Sequence, residues 1–180
     1  MSGHRPYQAR PGSSPGGARP PYSGGGQPPG AGRSAPGNTI ETLLRPPEKP
    51  FVYFNANDRA PRVELFGSDA EAVAERLADV PASQLRRFYS EVMALTRRAE
   101  LSDISDGEIQ AQLTLLRAKA AYTWGRKQGT RDAYPDELVA FFNRHAHAVR
   151  GRDDLLRGFQ PHFEAVMAFH KVKERKKGGA

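Results

Sequence analysis

Apolar residues recur at helical spacing over most of the chain from Ser68 onward. Leu85, Phe88, Tyr89, Val92 and Leu95 form one stripe, and Ile109, Leu113, Leu116 and Ala120 form a second. Leu138, Phe141, Phe142, His145 and Val149 form a third, and Leu155, Leu156, Phe159, Phe163, Val166, Met167 and His170 form the longest. Steps of three and four residues place each set on one face of a helix. The starts and stops agree with the stripes. Ser68–Glu71 and Ser105–Glu108 have the S-x-x-E form of a capping box, and Pro81 suits a helix opening. A first short helix should run from Ser68 to about Ala78. Pro135 followed by Asp136 and Glu137 puts acids at a positive helix end, and Asp153 or Asp154 starts the last helix. Gly125 and Gly151 suit helix stops, Gly125 as a residue that accepts the left-handed conformation. Pro161 sits inside the last stripe and predicts a kink there.

Upstream of Ser68 this periodicity is missing. Residues 51–66 hold two short apolar runs around an Asn/Asp/Pro-containing centre, which suits a small hairpin or extended chain packed on helices. Residues 39–47 read as a short turn stopped by Pro46 and Pro47. Residues 1–50 hold 11 of the 15 prolines and 10 of the 18 glycines, a composition that cannot offset its conformational entropy by burial. The expectation is an all-α compact bundle of about five helices, preceded by a disordered Gly/Pro-rich N-terminal tail. Its segments are a tail at 1–50, an extended or hairpin segment at 51–67, and the bundle at 68–175.

Charge narrows the partners. The net charge is +7, divided as +4 over residues 1–50, −3 over 51–80 and +6 over 81–180. A basic balance on the folded part favours nucleic acid or an anionic surface. The chain has no cysteine, which excludes disulfides, thiolate metal sites and cysteine nucleophiles. No apolar run reaches membrane-spanning length, and the N-terminus has no signal-peptide core, so a soluble cytoplasmic protein with no membrane partner is expected.

Catalytic chemistry finds little support. His145 and His147 point to different sides of a helix, and His162 and His170 have no third ligand nearby in sequence. Asp103, Asp106, Asp136, Glu137, Asp153 and Asp154 cluster at helix starts, where capping accounts for them. No glycine-rich loop follows a strand. The expectation is no enzyme, no metal and no cofactor. The cations are more informative. Lys171 to Lys177 and the Arg97–Arg98 pair complement helix C-termini, whereas Arg86 and Arg87, near a helix start, oppose the dipole. A bound phosphate would favour them there.

Three blocks then line up in order. They are "LRRFYSEV" at 85–92, "LLRAKAAYTWGRK" at 115–127 and "FEAVMAFHKVK" at 163–173. Together they resemble the small subunit of the type III-A CRISPR effector, the Csm complex. The pattern is Leu-basic-basic-Phe-Tyr, then Lys-x-Ala-Tyr-x-x-Gly-Arg, then Phe-Glu-Ala-Val with a following His-Lys. The resemblance covers about half the chain, residues 80–175. It departs from the family at Ala118, Trp124 and Val172-Lys173.

The resemblance implies a non-catalytic helical subunit in antiviral defence, stacking in several copies and holding target single-stranded RNA and guide RNA. Other Csm effector subunits would be its neighbours, and the isolated protein would be a candidate homodimer. Carried over by position, the RNA-binding residues would be Arg86, Arg87, Lys119, Arg126 and Lys171, with Lys127 as a basic neighbour. Two other readings stand beside it: a structural adaptor that binds only protein, and a free-standing RNA chaperone led by the arginine-dotted tail. Trp124, the single tryptophan, reads as local packing or as a base-stacking residue.

Overall fold

The computed structural model describes residues 39–102, 104–126 and 136–177, with side chains described as far as Lys173 except at Arg126. The expected tail at 1–38, Lys127 and Pro135 lie outside the described residues. The elements in order are α1 (Ile40–Leu43), a 3-10 turn (Val63–Phe66), α2 (Ser68–Arg76), α3 (Ala82–Leu101), α4 (Asp106–Arg126) and α5 (Asp136–Ala148). A π-helical turn (Asp154–Phe159) then leads into α6 (Gln160–Lys177). The fold is all-α, and no β-strand occurs among the described residues.

The four stripes form the core. Leu85, Phe88, Val92 and Leu95 of α3 are buried, as are Ile109, Leu113, Leu116 and Ala120 of α4. Leu138, Phe141, Phe142 and His145 of α5 meet Phe159, Phe163, Val166 and His170 of the last helix. α6 packs on α2 and α3, and α4 packs on α5 and α3. At the centre the rings of Phe141 and Phe163 are 5.1 Å apart, and those of Phe88 and Phe142 are 4.6 Å apart.

Local signals mostly survive. At Ser105 the backbone N–H donates to Glu108 Oε2 at 2.9 Å, while Glu108 N–H donates to Ser105 Oγ at 3.2 Å. Both halves of that capping box therefore form. The box at Ser68 does not. The 3-10 turn runs directly into α2 through Gly67 (φ −118°, ψ −108°), so the helix starts at Ser68 itself and its hydroxyl makes no cap. Gly125 is not a left-handed stop either, because α4 continues to Arg126 and no described glycine has positive φ. The kink expected at Pro161 is replaced by the π turn before it, where Gln160 N–H reaches Leu155 O, five residues back. The wider turn displaces the regular bonding ladder in the turn preceding the proline, which has no N–H to give.

The segment before α2 is more ordered than its composition suggests. The hairpin expected at 51–66 is reduced to one antiparallel bridge, Phe54 with Pro61, closed by Asn55 N–H to Ala60 O at 2.9 Å. Arg59 at its tip has φ 53°, as a tight turn requires. Residues 39–50, assigned by composition to the tail, pack against the bundle. Leu43 is buried, Arg117 Nη2 donates to Leu44 O at 2.9 Å, and Asn143 Nδ2 donates to Arg45 O at 2.7 Å. Partners about 70 and 100 residues away, invisible to local composition, hold this strap down.

Tyr53 completes the core from the strap side. Its hydroxyl and His145 Nδ1 share a buried 2.7 Å hydrogen bond. Its ring lies over Gly158, where an added Cβ would stand 2.5 Å from Tyr53 Cγ. Alanine at a helical glycine ordinarily stabilises by about 1 kcal/mol. Here Gly158→Ala should instead destabilise by about 1–3 kcal/mol, read as a lowered denaturant midpoint. The same change in a Tyr53→Ala background should be neutral or stabilising, because the obstructing ring is gone.

Candidate nucleic-acid interface

Titratable groups in the core are structural. His145, His162 and His170 are all buried. His162 Nδ1–H donates to Leu65 O at 2.7 Å, and His170 Nε2–H donates to Leu77 O at 3.1 Å. Each therefore anchors a segment outside its own helix. Burial, with His162 and Arg144 adding repulsion, pushes His145 well below its ordinary value of 6.5. Burial also lowers His162, against the opposing Leu65 hydrogen bond and Asp69. Their Nε2 atoms are buried with no hydrogen-bond partner among the described residues. No group of three or more His, Cys, Asp or Glu able to hold a metal occurs there.

The cations lie outside this core. Arg86 and Arg87 are the fifth and sixth residues of α3, both exposed, and neither makes an ion pair among the described residues. They stand beyond the first turn, where the helix dipole has fallen off, so its opposition is weaker than their position near a helix start suggests. Lys119 on α4 is half-exposed and bound to Glu91, one turn after Arg87 on α3. Together with Arg98–Glu108 at 3.9 Å, this pair shows α3 and α4 running antiparallel. Lys171 is exposed on α6, directly after His170 and its bond to Leu77 at the end of α2. Lys173 pairs with Glu75 and, at 3.7 Å, with Glu71. Arg126 is the last residue of α4.

The fold thus brings Arg86, Arg87, Lys119, Arg126 and Lys171 to one end of the bundle, where α2, α4 and α6 finish and α3 begins. Their availability differs. Lys119 is matched by a carboxylate, whereas Arg86 and Arg87 face solvent with their charge uncompensated. Trp124 is settled as a packing residue at the same end. It is half-buried, and its Nε1–H donates to Asp136 Oδ1 at 2.9 Å, joining α4 to the start of α5.

Sequence reasoning missed one feature of the site. Arg97 and Arg98, attributed there to the helix dipole, follow Arg86 and Arg87 by eleven residues. Eleven residues are close to three full turns, so the two pairs share one ridge about 16 Å apart. Ser90, Ala94 and Leu101 complete the exposed ridge, which carries four arginines. The eleven-residue interval is visible in the sequence once the helix is known to be continuous.

An all-helical subunit with a solvated cationic ridge and a closed aromatic core is the class these features define. The Csm2 Type III-A family model matches residues 60–176, about two-thirds of the chain, and the chain belongs to that family. It is therefore a structural subunit of a type III-A CRISPR effector, a Csm complex with other subunits. Neither the curated proteins nor the solved structures provide a significant match. The family match begins at Ala60, upstream of the three sequence blocks. No described helix is long and apolar enough to cross a membrane.

The buried histidines carry a pH signature. The unfolded chain binds protons on these residues below about 6.5, and the folded chain, with lowered values, resists them. Their contribution is complete above 6.5 and is lost as pH falls toward the folded-state values. Thermal midpoints measured from pH 8 to 5 should decline below about 6.5, and less steeply in a His145→Phe variant that still folds.

Proposed function

We propose that this Csm subunit is a non-catalytic RNA holder that grips target single-stranded RNA and guide RNA through sequence-independent phosphate contacts. Guide–target base pairing supplies sequence selection, and the protein supplies charge. The single observation that carries the reading is the exposed α3 ridge with Arg86 and Arg87 unpaired at its start. Arg126, Lys127 and Lys171 extend the same end, and Lys119 joins when phosphate competes for it with Glu91. A few phosphate contacts per copy bind weakly, and copies stacked along one RNA multiply the effect. The absence of a convergent catalytic set among the described residues is consistent with this role. Its place of work is the cytoplasm, where the effector meets RNA. The domain division follows: a tail, a strap that docks, and the bundle that binds.

Arginines that contact phosphate release counterions, so their removal lowers affinity and flattens the salt dependence together. Arg86→Ala/Arg87→Ala should weaken binding of unrelated single-stranded RNAs alike and reduce the log–log salt slope by about 0.7 per lost contact. Fluorescence anisotropy over a salt series measures both. Unchanged affinity and slope at low salt would remove this face from the interface. Exposed apolar residues on α4, Leu115 and Tyr122, favour a second reading as a protein-binding adaptor. Cross-linking in the assembled complex separates the two: adducts to protein alone support the adaptor, and adducts between α3 and RNA support the holder.

A further inference from the structure

α4 is apolar on two faces. Ile109, Leu113, Leu116 and Ala120 are buried in the bundle, while Ala111, Leu115, Ala118 and Tyr122 lie on the solvent side. Leu115 is 48% exposed and Tyr122 68%. These four follow one another at intervals of four, three and four residues, the spacing of a coiled-coil seam. Glu108 precedes the row by three residues, and Arg126 follows it by four. Read along the helix, the row is acid, small, large, small, large, base.

We propose that this row is a docking surface for a second copy of the chain, laid antiparallel on α4 about a two-fold axis between residues 116 and 117. In that register Leu115 meets Ala118 of the partner copy, Ala111 meets its Tyr122, and Glu108 meets its Arg126. Each large side chain faces a small one, so knobs enter holes, and the acidic start of each helix faces the basic end of the other. A parallel pairing sets Tyr122 on Tyr122, alanine on alanine and Glu108 on Glu108, which leaves voids and opposes like charges. The contact is isologous and closes at two copies. It overlaps the end of α4 that carries Arg126, so RNA held there and the paired state compete.

The inference stands apart from the RNA reading: a chain that binds RNA yet stays monomeric keeps that function and loses this surface. Because the protein has no cysteine, introduced thiols report on register without background. Mixing full-length Ala111→Cys and Tyr122→Cys proteins under mild oxidation should give the mixed disulfide in large excess over either self-linked product. Two copies of residue 111 would lie about 16 Å apart along the antiparallel axis, beyond the roughly 7 Å Cα separation a disulfide allows. Light scattering should show a concentration-dependent dimer for the unaltered chain and at least tenfold weaker dimerisation for Leu115→Lys, whose side chain is already in solvent. Ala111→Cys linking to itself as efficiently as to Tyr122→Cys would overturn the antiparallel register. A wild-type chain that remains monomeric at hundreds of micromolar, or a Leu115→Lys variant that dimerises like wild type, would overturn the surface altogether.

Discussion

The buried hydrogen bond between Tyr53 and His145 is the point at which the strap and the helical bundle become one structure. It lies in a cluster of aromatic and imidazole rings. His145 stacks 4.7 Å from Phe159 and stands 4.4 Å from Phe141, and Phe51 lies over both His145 and His162. The bond exists only because Gly158 leaves room for the tyrosine ring. It is also neutral, since burial lowers the imidazole and raises the phenol. Three histidines use the same device. Each contributes apolar ring surface to the core and one polar atom to a segment beyond its own helix: Tyr53, the 3-10 turn at Leu65, and the end of α2 at Leu77. The strap, the turn and α2 are thereby pinned to α5 and α6, and α2 in turn delivers the start of α3.

That arrangement governs the surface. Carboxylates at the shared end of the bundle are largely occupied in holding it together. Glu137 receives Arg76 at 3.0 Å and Arg144 at 3.5 Å, Asp136 receives Trp124, and Glu91 receives Lys119. Exposed pairs of this kind contribute little stability each, but they leave Arg86 and Arg87 without a local acid. A uniform ridge of four arginines on a continuous 20-residue helix then follows from α3 being straight enough to align residues eleven apart. The family assignment and this ridge agree in kind: a subunit whose chemistry is charge displayed on a rigid scaffold.

The strap extends the fold beyond the family match. Residues 39–59 precede the matched region, yet Leu43, Tyr53 and Phe54 are buried with the rest. Their anchors, Arg117, Asn143, His145 and Gly158, all lie inside it. The chain has therefore adapted matched positions to hold a segment outside the match, and Gly158 shows this most directly, because a side chain there and Tyr53 cannot coexist.

What the sequence by itself determined was whatever depends on neighbours three or four residues apart: the helices, their buried stripes, the Ser105 cap, and the ordered basic blocks that point to the Csm family. Each is written in local spacing, and local spacing is enough to orient a helix face. Tertiary structure decided the rest. Whether Ser68 caps depended on a 3-10 turn abutting it, and the fate of Pro161 depended on a π turn. The strap, which composition reads as tail, depended on hydrogen bonds from residues about 70 to 100 positions away. Among the candidate residues, only packing could separate Lys119, held by Glu91, from Arg86 and Arg87, which have no such partner. The charge of a side chain is given by its identity, but whether that charge is available to a ligand depends on which groups the fold places beside it.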